Sequence, residues 1–296
     1  MPLIGTFGAG SAKAFGFTSG GFAGMCASGG TTTEDGAYKV HTFTGSGSFC
    51  VSALSPDPAA NVVEYLLVAG GGSGGSAPNL PCTGGGGAGG FRESPGATAG
   101  CYSVSPLGVS PAAAIPVSCS PGAYPVTVGA GGNDTLFACL TSRRGGAGGP
   151  QPMGSGGPGG SGGGGGGSNG NGAIGIGNTP PVTPPQGNNG GTNDFGGGGG
   201  GAAGTGSHSG GAGYAPEIAG TPAVFRSGGG GNGHNDQSSQ PQCATSGRVS
   251  NATSGAANTG SGGGAANPSS PPYGPPNKGG PGSGGSGVVI LRYRIK

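Results

Sequence analysis

Two apolar segments bracket a long stretch of small and polar residues in this sequence. The first, Val62–Ala69, leads directly into Gly70–Gly72, and the last, Val288–Tyr293, is rich in β-branched residues. Such residues favour a central position in a sheet. The chain between them is dominated by Gly, Ser, Pro and Asn and has little apolar surface to bury. If the two segments pair in one sheet, the sequence predicts one folded unit. The intervening chain would leave this sheet and return to it, so that the sheet is a shared base.

Other segments also have the alternation typical of strands. Tyr38–Phe43 alternates, Thr44–Gly47 has turn composition, and Ser48–Val51 returns, which predicts a hairpin. We expect the strands at 62–69, 124–128 and 288–294 to share one sheet. Further strands are predicted at Tyr124–Val128, Leu136–Leu140 and Ala223–Arg226.

Composition makes disorder the first alternative to consider. The chain has 82 glycines and 27 prolines in 296 residues, a fraction typical of low-complexity chains. However, disordered chains are usually strongly charged, whereas this one has a formal net charge of only +2. A collagen triple helix requires glycine at every third position. The continuous glycine runs at 162–167 and 196–201 break that phase and exclude it.

A backbone-packed fold fits the remaining constraints. Glycine has no Cβ, so neighbouring backbones can approach closely and exchange hydrogen bonds and Cα–H···O contacts. Polyproline-II helices have no internal hydrogen bonds and must satisfy their peptide groups on neighbours or water. The predicted fold class is mainly β and irregular, with almost no helix. A small antiparallel β-sheet or sandwich base carries a bundle of polyproline-II-type glycine-rich rods.

Two regions are predicted. Residues 1–35 form an N-terminal attachment arm, and residues 36–296 form the glycine-rich domain. The arm can pack on its own domain or dock on another subunit, and docking is favoured because exposed aromatic rings need a partner surface. Its four aromatic attachment candidates are Phe7, Phe15, Phe17 and Phe22. In the domain, the β base comprises 38–69, 124–140 and 286–294, and the rods and loops comprise 70–123 and 141–285.

The spacing of the cysteines does not indicate a metal site. The seven cysteines are widely spaced, and none forms the C-x₂-C pair of a structural zinc site. In an oxidising medium, disulfides among Cys82, Cys101, Cys119 and Cys139 would stabilise a loop-rich region. The N-terminus lacks the features of a secretory signal, so synthesis in a cytoplasm is expected. Without an 18-residue apolar stretch, no membrane insertion is expected.

Motifs for catalysis, cofactors and nucleic acid are weak. A G-x-G-x-x-G match at Gly154–Gly159 is expected by chance at this glycine content, and no helix follows it to hold a phosphate. His208 and His234 have no triad-like neighbours. One Arg-Arg-Gly-Gly element does not make a nucleic-acid-binding segment. Arg292, Arg294 and Lys296 are interpreted as a solvated strand face or edge protection. We therefore expect no enzyme activity, cofactor, metal or nucleic acid.

The loops between the rods have the composition of recognition surfaces. Loops on a rigid scaffold commonly carry recognition, and Tyr, Ser, Asn and Gly are favoured there. Aromatic and amide or carboxylate side chains also suit sugar rings and hydroxyls. Alternatively, the tyrosines pack on the rods and anchor their own loops. The receptor-binding candidates are Tyr102, Tyr214, His234, Asp236 and Tyr273.

Three motifs that follow the segment at 38–51 in a fixed order resemble those of a known family. Glu64–Gly72, Tyr124–Gly132 and Gly284–Tyr293 together resemble the glycine-rich domain of tail-fibre and other virion proteins of tailed bacteriophages, many infecting cyanobacteria. Met1–Phe7 with Phe15–Phe17 looks like the short head of such proteins. The rod architecture is similar to the polyglycine sandwich of tail-fibre tip adhesins.

The resemblance implies a virion protein of the phage tail, synthesised in the host cytoplasm. It implies a tail-fibre or tail-tip adhesin that recognises the host surface through loops on a rigid scaffold. Its partners would be other phage structural proteins and a host-surface glycan or protein, and a homo-oligomer is compatible with it. The alternatives are a purely structural virion component (fibre, baseplate or capsid decoration) and an ice-binding protein, which needs a flat, regular Thr or Ala array.

Overall fold

Strands account for almost all the regular secondary structure. The computed structural model describes residues 24–76, 83–96, 102–108, 113–120, 122–150, 152–167, 172–192, 196–220, 224, 226–231, 252–266 and 280–296. In these ranges the only helical element is the 3₁₀ turn Pro58–Ala60, capped by Asp57. The strands are β1 (Cys26–Ser28), β2 (Thr31–Asp35), β3 (Tyr38–Phe43), β4 (Gly47–Ala53), β5 (Val62–Val68), β6 (Phe91–Glu93), β7 (Ile115–Pro116), β8 (Ala123–Thr127), β9 (Thr135–Phe137), β10 (Leu140–Ser142) and β11 (Val288–Arg294).

These strands form two antiparallel sheets. One has the order β1-β4-β8-β9-β10, and the other has the order β2-β3-β11-β5-β6, with β7 also paired to β5. The C-terminal strand β11 lies in the middle of the second sheet, where Ile290 is opposite both Thr42 and Leu66. Because β5 and β11 pair, the two ends of the glycine-rich region meet in one sheet, as the sequence predicted.

The two sheets pack face to face around an apolar core. Side chains from both enter it, including Phe49 and Phe137 of one sheet and Leu67, Leu291 and Tyr293 of the other. The opposite face of the second sheet is also covered, by a second cluster that joins Ile290 and Leu66 to Ala202 and Ile218. A sheet buried on both faces explains why β5 and β11 are almost continuously apolar.

The structure corrects the predicted sheet membership of 124–128. β8 pairs with β4 and β9 in the first sheet, not with β5 or β11. Its burial alternates, with Val126 buried between exposed neighbours, so it has one apolar face that stacks on the second sheet.

The predicted hairpin at 38–51 was also wrong. β3 pairs with β2 and β11, whereas β4 pairs with β1 and β8, so the chain crosses between sheets at the turn. The crossing places apolar side chains of both strands, Phe43 and Phe49, in the same core between the sheets.

One of the two shorter strand predictions needs correction. Leu136–Leu140 is not one strand, because Ala138 has a left-handed φ of 50° and turns the chain between β9 and β10. In the predicted strand at 223–226, the structure describes only residues 224 and 226. Arg226 there makes an isolated bridge to Tyr214, and the rest of this prediction lies outside the described residues.

The glycine-rich segments are rods with a repeat of three residues. In the rod 83–90, the N–H groups of Gly84, Gly87 and Gly90 all donate to the rod 143–150. The N–H groups of Gly85 and Ala88 donate to a second rod, 196–202. Those of Gly86 and Gly89 donate to a third rod, 260–266. N–H groups that point in the same direction at every third residue are the geometry of a polyproline-II helix. The hydrogen bonds confirm the predicted rod type.

The rods pack side by side as a lattice with an inside and an outside. Backbone hydrogen bonds connect rod 83–90 to six others, and all of its residues are buried. Outer rods expose every third residue instead, as at Ser73 and Ser76. The six partners of the central rod are 69–76, 143–150, 160–167, 196–202, 227–231 and 260–266.

Gly164 tests the requirement for glycine in this lattice. A Cβ at this position would overlap the carbonyl group of Gly197 on a neighbouring rod. We expect Gly164→Val to destabilise the protein by at least about 3 kcal/mol, because a rod must move to admit the side chain. The melting temperature of the purified variant measures the effect.

The matched control is Gly45→Val in the turn after β3, where a Cβ would contact nothing within 4 Å. It should melt within a few degrees of the parent protein. A Gly164→Val protein that melts with the parent would contradict the backbone lattice at that rod.

Deletion of residues 287–296 tests the role of β11. This change removes the strand that joins β3 to β5, so both apolar clusters lose side chains. We expect loss of protease resistance across the whole domain, measured by limited trypsin digestion and mass spectrometry. Removal of Lys296 alone, which makes an exposed ion pair with Glu34, is the control. Retained resistance in the deleted protein would exclude a shared base.

Candidate functional site

Many of the described rods end on the side of the lattice farthest from the sheets. Here the N–H of Gly75 donates to the Gly84 carbonyl (2.8 Å), and that of Ala266 donates to the Gly75 carbonyl (3.1 Å). Ala265 donates in turn to Gly231 (3.1 Å). We call this the distal end. The chain leaves the described residues there and re-enters them there, and the connecting tip segments are 77–82, 168–171, 193–195, 232–251 and 267–279.

Three of the five predicted receptor-binding residues belong to tip segments. His234 and Asp236 are in 232–251, and Tyr273 is in 267–279, so all three lie outside the described residues. Their described neighbours, Gly231 and Ala266, are both at the distal end and are bridged through Ala265. The four phenylalanines predicted for attachment, Phe7, Phe15, Phe17 and Phe22, also lie outside the described residues.

The other two predicted residues are at the opposite end. Tyr102 and Tyr214 are half-buried and both pack against the apolar cluster on the outer face of the second sheet. The Tyr214 ring lies 5.8 Å from the ring of Phe91, and its backbone bridges to Arg226. The structure therefore brings these two tyrosines to one cluster, where they anchor their loops.

A buried polar cluster adjoins Tyr102. Glu64 and Arg292 are directly opposite each other on β5 and β11, with exposures of 2% and 1%. Glu93, exposed by 1%, lies on the adjacent β6. The guanidinium of Arg292 lies over the rings of Tyr38 and Tyr102, with its central carbon 4.5 and 5.3 Å from the ring centroids. Charged groups so deeply buried require partners.

Burial of Arg292 corrects its interpretation as a solvated strand residue. Its Nη1 donates to Asp35 Oδ2 (2.7 Å) and to the carbonyl of Ile218 (3.4 Å). The neighbouring Arg294 is exposed, and Lys296 forms an exposed ion pair with Glu34. The signal in the sequence was the position of Arg292 between Leu291 and Tyr293 in a strand buried on both faces.

The Glu93 carboxyl is a buried group of this cluster whose pKa lies near neutral pH. Burial raises the pKa of Glu93 to about 7. Hydrogen bonding with Ser105 lowers the pKa, and repulsion from Glu64 raises it by a smaller amount. That N–H donates to Glu93 Oε2 at 2.9 Å, and Oε1 has no hydrogen-bond partner among the described residues. Burial also raises the pKa of the Tyr102 hydroxyl. Protonated Glu93 therefore fits the cluster better than the carboxylate.

His41 is a second buried titratable group that the sequence interpretation missed. Its Nδ1 donates to the Gly29 carbonyl (2.6 Å), and its ring lies edge-on to Phe49. Burial lowers the pKa of His41, with a smaller contribution from Lys39. These contacts place a neutral imidazole inside the sandwich. The available signal was its position two residues before Phe43, on the same face of β3.

The remaining chemistry is sparse in the described part of the chain. No group of three or more metal-ligating side chains occurs there. Cys26, Cys50, Cys119 and Cys139 are free thiols in this structure, which therefore contains none of the disulfides considered for an oxidising medium at Cys119 or Cys139. Cys82 and Cys101 lie outside the described residues. Among those described, no helix is long and apolar enough to cross a bilayer.

Glu93→Gln tests the buried carboxyl. Folded Glu93 keeps its proton up to about pH 7, whereas its unfolded form loses it near 4.5. Stability should therefore fall as pH rises between these values, by roughly 3 kcal/mol for this group. Urea unfolding at pH 4.5 and 8 measures the fall, which should be smaller by this amount in Glu93→Gln. The exposed Glu34→Gln is the control, and an equal fall in all three proteins would refute the assignment.

Comparison with known proteins agrees with the glycine-rich architecture. No curated protein matches the chain. A family model described as a glycine-rich domain matches residues 44–294, from the turn after β3 to the last residue of β11. Its span includes both strands that bracket the rods. Because the match covers far more than half of the 296 residues, the chain belongs to the glycine-rich domain family.

Proposed function

We propose that this protein is a virion protein of a tailed bacteriophage, a tail-fibre or tail-tip adhesin. The observation that carries the proposal is that the described rods on either side of the tip segments end together at one end of a hydrogen-bonded lattice. Residues 232–251 and 267–279 are the longest of these segments, and both begin beside rods that are buried and hydrogen-bonded on several sides. A scaffold of this kind holds variable loops in place for recognition.

The opposite end of the molecule is suited to attachment. Gly24 is so close to Ile295 that a Cβ on it would overlap the backbone there. Ile295 follows β11, which runs from the rods toward the far side of the sandwich. Gly24, which follows residues 1–23, therefore lies at the end away from the distal end. Residues 26–35 of the predicted arm form β1 and β2 of the two sheets, so the arm of this proposal is residues 1–23. In our proposal the arm, with Phe7, Phe15, Phe17 and Phe22, docks on other phage structural proteins.

Receptor recognition is assigned in this proposal to the tip segments. His234, Asp236 and Tyr273 supply the aromatic faces and hydrogen-bonding groups that a host-surface glycan or protein would contact. The packing of Tyr102 and Tyr214 on the apolar cluster favours an anchoring role for them. Recognition by loops needs no catalytic group, so the proposal is non-enzymatic.

Exchange of the tip segments tests the adhesin function. Residues 232–251 and 267–279 are replaced by those of a relative with another host range, with both flanking rods kept. Adsorption of phage carrying the chimaera should move to the relative's host, because the exchanged residues would hold the receptor contacts. The melting temperature of the chimaera should stay within a few degrees, since the hydrogen-bonded rods are unchanged.

Ile176→Ser is the control. This side chain is 51% exposed on a rod at the side of the lattice, away from the distal end. Its substitution should leave host range and adsorption rate unchanged. Adsorption that remains with the original host after every segment exchange would favour a purely structural virion component instead.

A further inference from the structure

The strand β2 forms an open edge of the second sheet. In the described order β2-β3-β11-β5-β6 it is the first strand, and it pairs only with β3. Every residue of Thr31–Asp35 is exposed. Among the described residues, no hydrogen bond joins the backbone of β2 to a segment other than β3. A strand edge of this kind is a template on which a further strand can pair.

The edge strands β1, β6 and β10 are blocked, unlike β2. The Phe91 N–H of β6 donates to the Gln186 carbonyl (2.8 Å), and the Thr141 carbonyl of β10 accepts from Arg92 Nη1 (3.2 Å). β1 has three residues and a shift in its register with β4. Protein edges are commonly blocked in such ways, or by proline and lysine. β2 has five residues in unbroken register and contains neither proline nor lysine.

The direction of the peptide groups on β2 follows from the sheet. The Ile295 N–H donates to the Ala37 carbonyl (2.8 Å), so every second residue of β3, counted from Ala37, bonds towards β11. The residues between them, beginning with Tyr38, therefore bond towards β2. Since Tyr38 is opposite Asp35, the peptide groups of Asp35 bond to β3.

Two residues of β2 consequently point their peptide groups away from the sheet. Bonding alternates along an antiparallel strand, so Thr31 and Thr33 face β3 as Asp35 does. The N–H and carbonyl groups of Thr32 and Glu34 face outward instead. The free edge therefore offers two donors and two acceptors, at positions two residues apart.

A second copy of β2 fits this edge best in one register. A two-fold axis at Thr33 brings Thr32 of each copy opposite Glu34 of the other, where the two residues exchange both of their outward hydrogen bonds. The same axis places Thr31 opposite Asp35, so a hydroxyl donor faces each carboxylate. An axis at Glu34 would set two carboxylates against each other. An axis at Thr32 would pair fewer residues of the strand.

The acidic residues of β2 are already paired within their own chain. Glu34 forms an ion pair with Lys296 (3.3 Å), and Asp35 forms one with Arg292 (2.7 Å). Their charges therefore do not oppose the approach of a second copy, and the threonines are residues that favour strands. We propose that two copies of this chain associate through β2, which joins their second sheets into one continuous sheet.

This pairing fixes the relative direction of the two copies. β2 is parallel to β11, because both are antiparallel to β3, and it therefore runs away from the rods. Antiparallel pairing turns the two distal ends in opposite directions. The association uses neither the tip segments nor residues 1–23 and does not depend on the adhesin function. Exchange of the tip segments should leave it unchanged, so failure of either proposal can be recognised without the other.

Thr32→Pro tests the outward hydrogen bonds. Proline removes an N–H that faces away from β3, so the bonds between β2 and β3 are kept. We expect dissociation of the dimer to become at least about tenfold easier, because one bond is lost at each of the two related pairs and the edge is blocked. Thr32→Ala keeps the N–H and is the matched control.

Two lysine variants test the register. Thr33→Lys sets two lysines against each other at the axis and should weaken the dimer several-fold. Thr32→Lys adds the same charge one residue away, opposite Glu34 of the other copy, and should dissociate no more readily than the parent. Thr33→Lys also tests the edge if Thr32→Pro does not fold.

Sedimentation velocity of the full-length protein over a concentration series measures the dissociation constant, and small-angle X-ray scattering measures the length of the particle. We expect a dimer that is clearly longer than the monomer. The proposal is overturned if the protein stays monomeric throughout, if Thr32→Pro associates as readily as Thr32→Ala, or if the two lysine variants dissociate equally. Association that occurs only after removal of residues 1–23 would assign the edge to that segment and would also overturn it.

Discussion

Backbone hydrogen bonding between rods is the interaction on which this structure depends. The rod 83–90 has no apolar core of its own, yet every one of its residues is buried. Its peptide groups are satisfied by six neighbouring rods. At its glycines an atom of a neighbouring segment stands where a Cβ would be, such as the Gly164 carbonyl at Gly84. Net hydrogen-bond energies are modest, about 1 kcal/mol each, so stability must come from their number and from close packing. The fold therefore requires glycine at these positions, because only a residue without a Cβ lets the rods pack this closely.

The sandwich makes that lattice possible by holding the rod ends. β5 leads into the first rod and β11 follows the last, and the two strands pair along Val68–Glu64 and Val288–Arg292. Their side chains fill apolar clusters on both faces of the sheet. A small apolar core thus holds together the two ends of a glycine-rich region that has little apolar surface of its own to bury. The two modes of packing are joined through the backbone of two strands.

Sequence patterns predicted the main parts of this fold because they are local. The apolar runs gave β5 and β11, and glycine content with low charge gave the rods. The distribution of β3 and β4 between sheets was missed, because alternation shows that a strand has an apolar face but not which sheet it joins. The difference between inner and outer rods had a readable signal: Gly-Gly-X at Ser73 and Ser76 marks an exposed rod, and continuous glycine marks a buried one. The cluster around Arg292 was missed since a charged residue in a strand is usually exposed.

The period of three along each rod has a mechanical consequence. Bonds between a given pair of rods recur every third residue, as at Gly71 and Gly74, which both donate to the rod 280–287. These bonds lie across the rods, whereas Gly24 and the rod ends at the distal end lie at opposite ends of the direction along the rods. Tension between those ends would shear many bonds together instead of opening them one after another. A lattice of individually weak contacts would then resist force along its length far better than force applied from the side.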